Sequence, residues 1–200
     1  MKYDFSYRML GTVLASVTKK AAPGKIRAVR REYREILTRA GDIGPGNRLF
    51  TSYALAAWFI AMNRNTGLTP EENLAVLEQW MKTSRLFKAA MGSPASYFSE
   101  KNMASRRQWS AQTYQRKYPN DWVVDVVEKT PEFEFGFDYR ECGVCKLCRD
   151  EGCFELAKYL CRLDFLIVAV MGIRQNRTMT LADGGDHCDF RFVRVGKADS

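Results

Sequence analysis

The sequence predicts an α+β fold, and three observations lead to that class. Apolar side chains recur at helical spacing through the first 120 of the 200 residues. From Trp122 onward the pattern changes to β-rich alternation. Two pairs of β-rich segments then flank one long apolar segment. We therefore expect a helical region over 1–120 and an α+β region over 121–200 within one compact unit. The second region would be a hairpin–helix–hairpin: a four-stranded antiparallel sheet packed on a long buried helix.

Glycine, proline and capping residues divide the helical region. Gly41 ends one apolar-periodic segment, and Gly92 ends another. Thr69, Pro70 and Glu72 form a capping box with proline at the first helical position, which predicts a helix start. These signals predict helices over 26–40, 49–62, 69–91 and 95–118, of which 49–62 is apolar on nearly all sides and therefore central.

The α+β region alternates between strand and helix patterns. Strands are predicted over 122–127 and 133–139, and a helix over 152–172 that is buried on all sides from Leu163 onward. Residues 177–182 and 188–195 predict a second hairpin across a turn at 183–186. Alternation places Cys188 with Phe190 and Phe192 on the core face, whereas His187 points outward.

Charge and cysteine content limit the partners and the compartment. The net charge of +8 and pI of about 9.2 favour anionic partners, either nucleic acid or small molecules. The basic residues cluster in the first forty positions without a nucleic-acid motif, so solvated helix faces are favoured and a nucleic-acid partner is not expected. No apolar segment approaches the ~20 residues that cross a bilayer, and no secretory signal is evident. We expect a cytoplasmic protein with reduced thiols and no membrane partner.

Cys161 and Asp164 form the first candidate site. They lie three residues apart, so they share one helix face among apolar neighbours. Burial would raise the pKa of such a carboxyl and suit it to proton transfer. The alternative is an exposed Asp164, or one that simply pairs with Arg174 or Arg177.

Cys188 and Arg177 extend this candidate site. Cys188 is a potential nucleophile, or alternatively an inert buried thiol. Arg177, with Thr178 and Thr180 beside it on the first strand of the last hairpin, could bind a carboxylate. The alternative for Arg177 is a surface ion pair with a nearby aspartate.

Four closely spaced cysteines suggest a different chemistry. Cys142, Cys145, Cys148 and Cys153 could hold zinc or an iron–sulfur cluster. Their spacing departs from the ferredoxin run and from the wider separation of most zinc-binding pairs. We therefore expect incidental thiols and no resident metal or cofactor.

The sequence resembles the L-2-amino-thiazoline-4-carboxylic acid hydrolases. The resemblance rests on Cys142, residues 152–156, the Cys161/Asp164 pair, residues 177–184 and the segment Cys188-Asp-Phe-Arg-Phe192. It implies hydrolytic opening of a cyclic amidine that carries a carboxylate, giving a carbamoyl-cysteine. On that basis Cys161 or Cys188 would be the nucleophile or an orienting group and Asp164 the acid–base. Arg177, with Thr178 and Thr180, would bind the substrate carboxylate.

Other functions remain open at this stage. The final segment is also similar to small-molecule-binding domains of the 4-vinyl reductase type, so a sensor or carrier without turnover is the main alternative. A metal protein and a nucleic-acid binder are the others. The sequence also allows packing of residues 49–62 between two subunits of a homo-oligomer.

Overall fold

Helices and one four-stranded antiparallel sheet make up residues 5–195, the part of the chain that this computed structural model describes. The predicted α+β class is confirmed. The α-helices are α1 (Phe5–Ala21), α2 (Ile26–Arg39), α3 (Phe50–Asn65), α4 (Pro70–Thr83), α5 (Arg85–Met91), α6 (Pro94–Tyr97), α7 (Glu100–Thr113), α8 (Gly143–Asp150) and α9 (Ala157–Ala169). The strands are β1 (Val123–Val127), β2 (Phe135–Glu141), β3 (Ile173–Asn176) and β4 (Cys188–Arg194).

The chain forms two compact units, each assembled from several segments. The first contains the residues up to Trp80, Tyr118–Asn120 and Gly143–Leu160. The second contains Met81–Lys117, Asp121–Cys142 and the residues from Cys161 onward. The predicted regions 1–120 and 121–200 follow the order of the elements along the chain. Their assignment as domains stays a prediction.

Helix α3 is the core of the first unit. Every residue from Tyr53 to Met62 is buried, as expected for a helix that is apolar on nearly all sides. The Trp58 ring packs edge-on against Tyr33 of α2 at 5.1 Å. Its Nε1 donates a 3.0 Å hydrogen bond to Thr18 of α1, so the one polar atom of this buried ring is satisfied.

The sheet of the second unit has strand order β1-β2-β4-β3 and two different faces. Register pairs Tyr139 with Cys188, Phe137 with Phe190 and Phe135 with Phe192. These residues form the aromatic face, which is continued by Gln175 opposite Phe192. The alternate residues form a charged face, on which Arg140 pairs with Asp125, and Arg191 with Asp138, both at 2.8 Å. The sheet therefore has one apolar face and one polar face, as is common for antiparallel sheets.

Helix α7 covers the edge strand β1. The hydroxyl of Ser110 donates to the carbonyl of Val124 at 2.6 Å, and the amide of Val124 donates to the hydroxyl of Thr113 at 3.1 Å. Two side chains of one helix thus satisfy both backbone groups of a strand residue and protect an edge that could otherwise pair with another chain.

Several predicted helices are shorter than expected because serine residues cap new starts. Ser84 accepts from the amide of Phe87 and separates α5 from α4 within the predicted helix 69–91. Ser99 accepts from the amide of Asn102 and starts α7 within the predicted helix 95–118, which ends at Thr113. Helices α1 and α8 were not predicted. Within residues 5–195, no helix combines the length and apolar character needed to cross a membrane.

The second predicted hairpin starts earlier than the sequence indicated. Strand β3 covers 173–176, so Arg177, Thr178 and Thr180 follow the strand instead of lying on it. The carboxylate of Asp189 accepts from the amides of Thr178 and Met179 and replaces the ladder bonds that would continue the strand.

The helix predicted over 152–172 is α9, preceded by a 3-10 turn at Phe154–Leu156. Its predicted burial on all sides is wrong. Phe165 is 39% exposed, and Leu166 and Ile167 are only partly buried.

Candidate active site

Asp164 and Arg177 form an ion pair at the centre of the candidate site. Arg177 Nη1 lies 2.8 Å from Asp164 Oδ2, and its Nη2 donates to the backbone carbonyl of Cys161 at 2.9 Å. The guanidinium carbon lies 4.7 Å from the centre of the Phe165 ring and 5.0 Å from that of Phe190. Only 6% of the Arg177 side chain is exposed, so this cation is fixed between two rings and two oxygen acceptors.

Burial determines the protonation of Asp164. It raises the pKa of the carboxyl to about 6, although the charge and hydrogen bond of Arg177 lower it. A third of the side-chain surface is still accessible. A carboxyl in this state can both accept and donate a proton near neutral pH.

Two thiols flank this carboxyl, and both are protonated at neutral pH. Burial raises the pKa of Cys188 to about 12, against the lowering effect of the Leu181 amide, which donates to Cys188 Sγ at 3.2 Å. Burial, followed by the charge of Asp164, raises the pKa of Cys161 further. The predicted inward orientation of Cys188 is confirmed, since it is buried opposite Tyr139. Neither sulfur is a ready thiolate nucleophile in this state.

Tyr97, Tyr139 and Cys142 join the site. Cys142 was one of the residues that carry the family resemblance, and none of the three was a predicted site residue. Burial raises the pKa of Tyr97 to about 12 and that of Tyr139 well above its usual value. A charge on Asp164 raises both pKa values further, and a charge on Cys142 raises those of Tyr139, Cys161 and Cys188. These groups therefore share one electrostatic environment, and both tyrosines keep neutral hydroxyls that can donate hydrogen bonds.

Thr178 and Thr180 hold the loop between β3 and β4. The Thr178 hydroxyl donates to Asp189 Oδ2 at 2.7 Å, and the Thr180 hydroxyl donates to Asp183 Oδ2 at 2.5 Å. Thr180 also caps the 3-10 turn Leu181–Asp183 by accepting from the amide of Asp183. The structure gives both hydroxyls local partners, and a role for them in substrate binding stays a prediction.

Gln175 contributes an unsatisfied amide to the aromatic face. The residue is 6% exposed, and neither its Nε2 nor its Oε1 has a hydrogen-bond partner within the described part of the chain. It lies opposite Phe192, whose ring packs against Tyr97 at 5.6 Å. A buried amide without partners is costly, and such groups occur where a ligand or an ordered water completes the bonding.

The remaining sequence candidates are the other cysteines and His187. Cys145, Cys148 and Cys153 belong to the first unit, and none of the six cysteines is in a disulfide. Within residues 5–195, no group of three or more His, Cys, Asp or Glu side chains is placed to hold a metal ion. His187 directly precedes strand β4. Its Nδ1 contacts the Asp186 carboxylate, and its Nε2 lies 3.8 Å from Asp138 Oδ1 on the charged face.

Comparison with known proteins identifies the family. The family model described as L-2-amino-thiazoline-4-carboxylic acid hydrolase matches residues 47–192, well over half of the chain, and the chain belongs to this family. The match includes every residue of the site described above. Comparisons with curated proteins and with solved structures found no match.

Proposed function

We propose that this member of the family hydrolyses a cyclic amidine carboxylate, L-2-amino-thiazoline-4-carboxylate or a close analogue, to a carbamoyl-cysteine. The observation that carries the proposal is the state of Asp164, a partly accessible carboxyl with a pKa of about 6 that Arg177 holds in one orientation. Ring-opening hydrolysis needs a group that first accepts and later donates a proton, and this carboxyl can do both at neutral pH.

The reaction balances with one water molecule. Ionised Asp164 accepts a proton from water as the water oxygen bonds to C2 of the ring. The electron pair of the C2=N3 double bond moves to N3, and N3 takes up the proton of the new C2 hydroxyl as that oxygen becomes the carbonyl. The C2–S bond of the tetrahedral intermediate breaks, and protonated Asp164 returns its proton to the departing sulfur. The product carries a free thiol and a carbamoyl group on nitrogen, and Asp164 is ionised again.

The protonation of the thiols favours water as the nucleophile. Burial raises the pKa of both Cys161 and Cys188, so neither is a thiolate in the resting site. We assign these thiols to orienting roles as neutral groups beside Asp164. The nearby tyrosines, Tyr97 and Tyr139, offer neutral hydroxyls that can donate to the oxyanion or to the substrate carboxylate.

Arg177 remains our candidate for the substrate carboxylate. A guanidinium has five N–H donors, and the two described bonds to Asp164 and to Cys161 leave others. A carboxylate bound there would lie beside Asp164, which is the arrangement that the reaction requires. Thr178 and Thr180 would then act by holding the loop that follows Arg177.

The decisive experiment is incubation of the reduced protein with L-2-amino-thiazoline-4-carboxylate and mass spectrometry for a product heavier by one water. We expect that product from the wild type and a loss of at least about 10²-fold in rate for Asp164→Asn. Glu132→Gln is the matched control, because Glu132 is an exposed acid of the same unit. Equal rates for the wild type and Asp164→Asn would contradict the assignment.

A sensor or carrier of the same ligand is the second candidate function. The unsatisfied amide of Gln175 favours it, since that group needs a bonding partner and not a reaction. Calorimetry that detects binding of the thiazoline carboxylate, with no product after prolonged incubation, would support this candidate. In either case we propose a reducing, cytoplasmic setting, in agreement with six cysteines of which none is in a disulfide.

A further inference from the structure

The end of α8 brings two cysteine side chains together in the first unit. Gly152 adopts a φ of +65°, the amide of Cys153 donates to the carbonyl of Cys148 at 2.8 Å, and the amide of Gly152 donates to the carbonyl of Arg149 at 3.0 Å. These two bonds and the left-handed glycine define a Schellman motif. In this motif the residue whose amide donates the bond that spans more residues frequently packs its side chain against that of the residue whose carbonyl accepts it. Here these two residues are Cys153 and Cys148.

The backbone hydrogen bond limits the separation of the two cysteines. Adding standard backbone dimensions to its 2.8 Å length places the Cα atoms of Cys148 and Cys153 at most about 6.7 Å apart. Disulfides span Cα separations of roughly 4.4–6.8 Å. The two sulfurs are also hydrogen-bonded to one another. A disulfide could therefore form here without a rearrangement of the backbone.

The surroundings make the two thiols unequal. Cys148 is fully buried, whereas 8% of Cys153 is accessible. The hydrogen bond from Cys148, followed by the charge of Arg64, lowers the pKa of Cys153, in contrast to the raised values of Cys161 and Cys188. A small oxidant would therefore meet Cys153 first, and that thiol is the better nucleophile.

Arg64 is fixed at this position by the same turn. It donates to the backbone carbonyl of Glu151 at 2.7 Å and pairs with the carboxylates of Glu151 and Glu32. Arg39 pairs with the same two carboxylates. The cation beside Cys153 thus belongs to a four-residue ion-pair network and is not a mobile surface side chain.

We propose that Cys148 and Cys153 are a redox-active dithiol that hydrogen peroxide converts to a disulfide. The Cys153 thiolate attacks the peroxide O–O bond and becomes a sulfenic acid, and hydroxide leaves and takes up a proton to form water. The Cys148 sulfur then attacks the Cys153 sulfur, its proton goes to the departing hydroxyl, and a second water forms. Two thiols are oxidised and one peroxide is reduced to two waters, and a dithiol reductant reverses the change. The dithiol belongs to the first unit and Asp164 to the second, and this proposal does not depend on the proposed hydrolase function.

Tryptic mapping tests the linkage directly. Cleavage after Lys146, Arg149 and Lys158 places Cys148 and Cys153 in different peptides, 147–149 and 150–158. The full-length protein is treated with a small excess of hydrogen peroxide, and its remaining thiols are alkylated. We expect four alkylated cysteines instead of six, together with a linked pair of these peptides that dithiothreitol separates.

Serine variants distinguish the thiol that peroxide oxidises first from the thiol that then closes the disulfide. In Cys148→Ser the sulfenic acid of Cys153 has no partner and should be trapped by dimedone, whereas Cys153→Ser should give no adduct at residue 148. Cys145→Ser, another buried cysteine of α8, is the matched control and should form the linkage as the wild type does. Circular dichroism of each reduced variant verifies folding. Retention of six alkylatable thiols by the folded wild-type protein, or a linkage that uses another cysteine, would overturn the proposal.

Discussion

The pH dependence of hydrolysis follows from the state of Asp164. With a pKa of about 6 in the free protein, the ionised fraction falls from about 0.9 at pH 7 to about 0.1 at pH 5. If ionised Asp164 activates water, kcat/KM should therefore fall about tenfold over this interval, and its logarithm should approach a slope of one against pH on the acid side of the inflection. The measurement is initial-rate kinetics from pH 5 to 8 on the wild type and on Glu132→Gln as the control.

The pH dependence of protein stability should show the titration of Asp164 independently of turnover. The pKa in the folded protein, about 6, lies above the ordinary 3.8, so the folded state holds the proton more tightly between these values. The stabilisation is complete below pH 4 and is lost as the pH rises through 6. The difference between these two pKa values is equivalent to about 3 kcal/mol in the free energy of unfolding. Because one-third of the side chain is accessible, solvent screening reduces the contribution that we expect to about 1–2 kcal/mol.

Urea unfolding at pH 4.5 and pH 7 measures this contribution. Other titrating groups also change stability over this range, so the informative quantity is the difference between proteins. Asp164→Asn should lose the contribution, whereas Glu132→Gln should retain it. The reasoning about Asp164 is refuted if Asp164→Asn and the wild type show the same change in unfolding free energy between the two pH values and kcat/KM has no inflection near pH 6.

Two further predictions concern packing on the sheet. Gln175→Leu should raise the free energy of unfolding by about 1–3 kcal/mol, because it removes a buried amide that has no partner within residues 5–195; a loss of stability in urea unfolding would show that the amide is satisfied. Gly136→Ala should lower stability by about 1–3 kcal/mol, because the new Cβ would lie 2.4 Å from the carbonyl oxygen of Phe190. Gly24→Ala, where a Cβ meets nothing within 4 Å, is the control, and equal thermal midpoints for the two variants would contradict this explanation.

Local patterns predicted the elements but not all of their ends. The capping box is present, with the Thr69 amide donating to Glu72 at 2.8 Å and the Glu72 amide donating to Thr69 at 3.2 Å. Strand alternation correctly placed Cys188 on the face of Phe190 and Phe192. The end of β3 could not be predicted, because it depends on Asp189, which reaches back across the loop.

The candidate site was predictable where its residues are close in sequence. Helical spacing predicted that Cys161 and Asp164 share a face, and the pairing of Asp164 with Arg177 was one of the two alternatives for this carboxyl. Tyr97 and Tyr139 were missed, since aromatic residues in helices and strands are usually core residues. The contribution of Tyr139 depends on β2 lying beside β4, and that neighbour relationship is not encoded in either strand alone.

Arg177 links the two proton-transfer roles of Asp164. One cation stabilises the ionised carboxyl, and a substrate carboxylate bound to the same guanidinium would offset part of its charge. The pKa of Asp164 should then be higher in the substrate complex than the value of about 6 in the free protein. The inflection of kcat with pH, which reports the complex, should therefore lie above that of kcat/KM, which reports the free protein. A substrate analogue without the carboxylate should bring the two inflections together. Coincident inflections for the carboxylate substrate itself would instead place its carboxylate away from Arg177.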